Sequence, residues 1–167
     1  LVVLNQNAEI WVIDEQGREI EKHRLVYGAR LKVKDGGKVK SGQIVAEWDP
    51  YSLPILTEFA GKVHYEDLEE GKTFKEQRDA TTGLSRRVII ESKAGASDLR
   101  PRILIVDPKT GEPVINPRTQ KEVRYFLPIN ATLTAEQGQE VGPGEVLIKL
   151  AKEGIRSKDI TGGLPRV

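Results

Sequence analysis

The stretch YGARLKVKDGGKVKSGQIVAEW, residues 27–48, aligns without a gap to INATLTAEQGQEVGPGEVLIKL, residues 129–150. Gly36 falls on Gly138, Val39 on Val141, Gly42 on Gly144 and Val45 on Leu147, all at one offset of 102 residues. Glycines at such intervals suit positive backbone angles in tight turns, and the intervening valines suit strand positions over a small core. The correspondence continues upstream. EIWVIDEQG (9–17) parallels RILIVDPKTG (102–111) with one residue added, and LVVLNQ (1–6) parallels RVIIES (87–92). A G-x-x-V-x-x-G turn alone is common in β proteins, but three blocks in one order point to a duplication. Two copies mark two similar modules rather than a solenoid, which needs three or more units. The segment GKVHYEDLEEGKTF (61–74), ahead of the second copy, has no partner in the first. The first module is therefore expected to lack its opening strands.

Around this repeat the chain alternates short apolar runs with turn residues and shows little helical periodicity. Strands are expected at Leu1–Leu4, Glu9–Asp14, Leu31–Lys34, Ile44–Trp48, Pro54–Phe59, Lys62–Tyr65, Thr73–Lys75, Arg87–Glu91, Arg102–Asp107, Val123–Phe126, Thr132–Ala135 and Glu145–Leu150. Valine and isoleucine fill many of these runs, and Gly, Pro, Asp and Asn separate them. Ala135–Gln139 reads as a turn, because Gly138 interrupts its helix formers. The expected fold is all-β, with two barrel-sandwich hybrid modules in tandem and the first truncated at its N-terminus. Its expected parts are residues 1–54, residues 55–152, and a tether with a return segment at 153–167.

Bulk composition narrows the function classes. The 167 residues carry a net charge of +1, which gives no strong electrostatic footprint for nucleic acid or a membrane surface. The absence of cysteine excludes disulfides and zinc-thiolate sites and fits a reducing compartment. No apolar run approaches the roughly 20 residues that span a bilayer, and no signal peptide opens the chain. With no methionine, even at position 1, the chain reads as part of something longer.

Local constellations of chemical groups are thin. His23 and His64 are the only histidines, neither stands at metal-ligand spacing from carboxylates, and each reads as a strand residue. Glu66, Asp67, Glu69 and Glu70 fit a solvated turn ending at Gly71 better than a magnesium site. TTGLSRR (81–87) resembles a Ser/Thr/Gly turn more than a phosphate loop. Arg86 and Arg87 form a small basic pair suited to the surface, or to an acidic protein or a nucleic-acid backbone. Trp11 and Trp48 are expected in the core, with Trp48 the alternative anchor for a partner.

VAEWDPYSLPILTEFAGKVHYED (45–67) resembles biotinyl and lipoyl carrier domains, in which an exposed hairpin holds a modified lysine. The corresponding tip would fall near Asp49–Ser52. No lysine lies between Lys40 and Lys62, so the amine that a carrier links to its cofactor is missing. The scaffold is kept and the carrier chemistry is not.

The segment SKDITGGLPRV (157–167) is similar to the bacterial RNA polymerase beta-prime subunit, at the downstream end of its trigger-loop region. YGARL, VAEWDP, PILTEFAGKV, TGLSRRVII, DLRPRILIVD, YFLP and VGPGEVLIKL resemble the large insertion that interrupts that loop in many bacteria. The insertion is built of sandwich-barrel hybrid motifs. The resemblance implies a cytoplasmic, non-catalytic part of an enzyme that extends RNA by nucleotidyl transfer with two metal ions. It implies no catalytic, cofactor-binding or metal-binding residue in this stretch, with magnesium and zinc held elsewhere in the subunit. Beta, alpha, omega and sigma subunits are the implied partners, with downstream DNA and elongation or cleavage factors as further contacts and no membrane. Thr161, Gly162, Gly163, Leu164, Pro165 and Arg166 match the family's return segment. Gly162-Gly163 suits a hinge and Pro165 suits the first turn of a following helix. The alternative reading is a stand-alone barrel-sandwich module that binds protein.

Overall fold

The computed structural model describes residues 1–92 and 98–152 of the chain. Its described residues form strands and turns only, in two compact units, Leu1–Pro50 and Tyr51 onward. The protein is all-β.

The first unit contains β1 (Glu9–Ile13), β2 (Glu19–Arg24), β3 (Arg30–Leu31) and β4 (Ala46–Glu47). β1 pairs with β2 and β3 with β4, both antiparallel. Its core is small: Val3, Leu25 and Ala29 are buried, with Ala8, Ile10, Leu31 and Ala46 packed against them.

The second unit contains β5 (Ser52–Leu56), β6 (Gly61–Glu66), β7 (Phe74–Arg78), β8 (Ser85–Ile89), β9 (Arg102–Val106), β10 (Arg124–Phe126), β11 (Thr132–Leu133), β12 (Glu140–Val141) and β13 (Val146–Ala151). They form a four-stranded sheet, β10-β9-β6-β12, and a five-stranded sheet, β5-β13-β11-β8-β7. Every pairing is antiparallel. One continuous core draws on both sheets: Val63, Ile103, Ile105 and Val141 from the first, Ile89, Leu133, Leu147 and Ile148 from the second. In a sheet with one packed face, alternate residues turn inward. β6 follows that rule, with Gly61 and Val63 buried and Lys62 and His64 exposed.

The two units repeat one another at the level of single hydrogen bonds. In the first, Arg30 stands opposite Glu47 and Leu31 opposite Ala46. In the second, Thr132 stands opposite Lys149 and Leu133 opposite Ile148, each partner displaced by 102 positions. The amide of Val3 donates to Ala29 O at 2.9 Å, and that of Ile89 to Ala131 O at 2.9 Å. Lys32 N–H reaches Val45 O at 2.9 Å, as Thr134 N–H reaches Leu147 O. Ala29 and Ala131 are both fully buried. The aligned glycines adopt matching angles, φ 71° at Gly36 and 80° at Gly138, 78° at Gly42 and 88° at Gly144. These are left-handed conformations that a side chain resists, which is why the spacing survives in both copies.

Three strand expectations are corrected. Leu1–Leu4 is not a strand; only Val2 forms a bridge, to Arg30. β2 and β12 were not expected. EIEKHR in β2 is exposed at every position, so it carries no apolar alternation to read, and it is a strand because β1 supplies a ladder. Its counterpart under the repeat is β10: Ile10 faces His23 as Ile103 faces Tyr125. Carrying the 102-residue offset upstream from residue 27 would have found it. Ala135–Gln139 is a turn, as expected.

The hairpin turns follow one local rule. Asp79, Asp107 and Asn116 each accept backbone N–H bonds on their side-chain oxygen from residues two and three further on. The fourth residue beyond each has positive φ: Gly83 at 69°, Gly111 at 74° and Gln120 at 56°. A Cβ at Gly111 would meet open space, so only backbone strain opposes it. Gly111→Ala is therefore expected to cost about 1 kcal/mol, and Gln120→Gly to gain about 0.5 kcal/mol. Urea denaturation of both variants reads this directly; an unchanged midpoint for Gly111→Ala would contradict the strain argument.

Candidate functional site

The singled-out side chains do not converge. His23 sits on exposed β2, its Nε2 2.9 Å from Glu21 Oε2. His64, on β6, has its Nδ1 3.3 Å from Gln137 Nε2. Among the described residues no group of three or more His, Asp or Glu side chains could hold a metal ion.

The acidic turn 66–70 disperses its charges, with Glu66, Asp67 and Glu69 each engaged by a different partner. Glu66 pairs with Arg102 across the β6–β9 ladder. Asp67 takes positive φ and accepts the Arg100 N–H at 3.2 Å. Glu69 pairs with Lys72, and its amide donates to Thr73 Oγ1 at 2.9 Å. The hydroxyl of buried Thr73 in turn donates a hydrogen bond to Asp67 O at 3.0 Å, which closes the turn from inside. The arrangement is a turn lock built on a buried hydroxyl.

The basic pair is likewise divided. Arg86 lies 2.6 Å from Asp79, within its own hairpin, and Arg87 lies 2.8 Å from Glu136. Thr81 and Thr82 cap Asp79 through their amides, so TTGLSRR is a hairpin loop.

Both tryptophans depart from the core placement expected of them. Trp11 is 55% exposed and Trp48 52% exposed. Trp11 alternates with half-buried Ile10 and Val12, so it stands on the outer face of β1. There its indole N–H donates to Glu9 Oε2 at 3.3 Å, and Lys22 Nζ lies 5.0 Å from the ring centre. An ammonium at that distance is attracted by the ring quadrupole.

The carrier-like hairpin does not form. β4 pairs with β3 in the first unit, and β5 pairs with β13 in the second. Asp49–Ser52 is the chain's passage from one unit to the next, and no tip for a modified group exists there.

Electrostatics at these turns favours the ionised carboxylates. Backbone N–H groups of Thr81 and Thr82, with Arg86, bring the Asp79 carboxyl down to about 2. Asp14 and Asp107, equivalent in the two units, are lowered by the amides of Arg18 and of Lys109 respectively. Glu66 is lowered by Arg102, and Glu9 by Lys22. A carboxyl lowered in the folded state stabilises the fold above its unfolded value and loses that contribution as pH falls through its folded value. The unfolded values are 3.8 for Asp and 4.5 for Glu. The melting temperature is expected to hold level above about pH 5 and to fall between there and about pH 2. Thermal melts across that range test this, and a midpoint that rises on acidification would contradict it.

The return segment Thr161–Arg166 lies outside the described residues. Among the described residues no helix is long and apolar enough to cross a membrane.

No family model matches the chain. Many curated proteins match it, and two of them match from end to end as follows. It is 49% identical over all 167 residues to the DNA-directed RNA polymerase subunit beta' of Bdellovibrio bacteriovorus. It is 51% identical over the same 167 residues to the subunit of that name from Thermodesulfovibrio yellowstonii. The chain belongs, as a segment, to the bacterial RNA polymerase beta' family. It spans 12% of the length of each of these beta' relatives. The likeness covers both units, and with them the whole internal repeat.

Proposed function

We propose that this segment is a non-catalytic insertion in the trigger loop of a DNA-directed RNA polymerase. The observation that carries this reading is the end-to-end match, at about half identity, to a stretch that makes up 12% of two beta' subunits. The dispersal of acidic and histidine side chains described above is compatible with a structural part of the enzyme. In this reading the nucleotidyl transfer, and the magnesium and zinc, belong to other parts of the beta' chain. Beta, alpha, omega and sigma are its partner subunits, and the assembly works in the cytoplasm beside downstream DNA and elongation or cleavage factors.

A trigger loop alternates between an open form and a folded helical hairpin that closes on the incoming nucleotide. A β insertion carried on that loop must move with it or restrain it. Its effect is then a bias on the folding equilibrium, which alters pausing, elongation and transcript cleavage without entering the chemistry. Thr161, Gly162, Gly163, Leu164, Pro165 and Arg166 serve as the return hinge. The paired glycines tolerate the backbone change, and Pro165 is suited to begin the next helix.

The test is deletion of the segment from the intact polymerase, with its flanks joined by a short flexible linker. Nucleotide addition is expected to persist, while pause lifetimes or cleavage rates shift by roughly threefold or more, about 0.7 kcal/mol of bias. An enzyme with every kinetic step unchanged would defeat the proposal, and so would RNA extension by the isolated segment.

A further inference from the structure

In the second unit β6 lies between two strands. It pairs with β9 on one side, Lys62 opposite Val106, and with β12 on the other, Lys62 opposite Glu140. Val63 completes the second edge, its N–H reaching Gln139 O and its carbonyl accepting Gly138 N–H, both at 2.8 Å. Under the repeat, β9 corresponds to β1 and β12 to Lys38–Val39. Among the described residues of the first unit, β1 pairs with β2 alone and Lys38–Val39 joins no ladder. The Ala8 carbonyl accepts Leu25 N–H and so faces β2. Strand alternation then turns the backbone groups of Glu9, Trp11 and Ile13 to the other side. Between these two edges the floor is apolar and incompletely covered. Val12 and Val39 are half-buried, while their equivalents Ile105 and Val141 are 0% and 5% exposed.

We propose that the first unit holds a slot one strand wide, between β1 and Lys38–Val39. Its occupant is an extended segment of the same polypeptide, joined ahead of Leu1 as β6 stands ahead of β8. The relatives are about eight times longer than this stretch, which spans 12% of them, so such a polypeptide has ample chain outside it. Recognition is main-chain pairing along both edges, the mode by which an extended peptide adds to an open sheet. The slot also sets the sequence of the occupant. Gly61 crosses β9 so closely that a Cβ there would come within 2.5 Å of Ile105 Cγ2 and 2.7 Å of Val106 O. The residue crossing Val12 must likewise be glycine, and the residue two further on must be apolar to cover the floor as Val63 does. A Gly-x-Val-x-apolar strand meets both demands. This inference rests on the geometry of the repeat and not on the role in transcription.

Amide hydrogen exchange tests it, comparing residues 1–167 alone with the natural longer polypeptide. In the longer chain, exchange at Glu9–Ile13 and at 36–43 is expected to slow at least tenfold, while β6, β9 and β12 exchange alike in both. Equal rates in the two would overturn the proposal. So would protection already present in dilute residues 1–167, or protection that grows with concentration, which would make the occupant a second copy. Val12→Arg in the longer chain is expected to abolish the protection at 36–43, and Trp11→Ala, on the opposite face of β1, to keep it. Protection that survives Val12→Arg would also overturn the proposal. Because the readout is exchange and not transcription, failure here leaves the trigger-loop reading standing, and the converse holds.

Discussion

Gly61→Val is expected to unfold the second unit or leave it marginal, with a loss of about 3 kcal/mol or more. Gly61 is buried at the start of β6, opposite Val141 in the four-stranded sheet. A Cβ there would meet one side-chain methyl, Ile105 Cγ2, at 2.5 Å and one backbone oxygen, Val106 O, at 2.7 Å. The methyl belongs to a fully buried side chain of the two-sheet core. The oxygen lies in the β6–β9 ladder and cannot retreat without breaking it. Interiors are packed about as densely as organic crystals, so strain of this kind spreads instead of relaxing. Gly61→Ala adds only the Cβ and is expected to cost about 2 kcal/mol, with valine's further methyls adding to it. Denaturant midpoints of both variants decide the matter. If the alanine protein matched the parent within experimental error, the close approach would not be the reason for glycine.

The second large effect is a contrast between equivalent positions. Ile105→Ala is expected to cost about 3–5 kcal/mol, because the side chain is wholly buried and its removal leaves a cavity in a two-sheet core. Val12→Ala, at the matching position of the first unit, is expected to cost under about 1 kcal/mol in residues 1–167. Val12 is half-buried there, so truncation removes little area from a dry environment. The measurement is thermal or chemical unfolding of the two single variants, followed by unit with resolved amide signals. Similar losses at the two sites would show that the first unit packs its inner face as well as the second does. If the strand slot is real, Val12→Ala becomes more costly in the longer polypeptide, approaching the usual cost of a buried valine.

Asp79 shows why the turns were legible and the surfaces were not. DATTG, DPKTG and NPRTQ all build one loop from the side-chain oxygen of their first residue and a positive φ at their fifth. That chemistry is contained within five residues, so short-range reading captures it. Trp11 fails the same approach. Its apolar ring in an alternating strand reads as core, but which face of β1 is covered depends on chain far away in sequence. The structure leaves the ring outside, beside Lys22, a residue brought there by the antiparallel return of β2. The expected hairpin at Asp49–Ser52 fails for a related reason. Two apolar runs separated by a few turn residues satisfy the local rule for a hairpin, but β4 and β5 each find a better ladder elsewhere.

The candidate site divides in the same way. Thr161–Arg166 is legible only as a resemblance in pattern, and it lies outside the described residues. The acidic turn 66–70 was correctly read as a turn, but its lock was not, because Thr73 is unremarkable until burial places its hydroxyl between Asp67 O and Glu69 N–H.

By itself the sequence determined the all-β class, the positive-φ turns and a duplication with a single offset through its longest block. Each depends on backbone preferences that act within a few residues, or on similarity between two stretches of one chain. Tertiary structure alone decided that equivalent residues differ in burial. Ile105 and Val12 occupy the same place in the same local structure. One is sealed and the other half-open because burial belongs to the neighbours that pack against a residue, and β6 is present in only one of the two units.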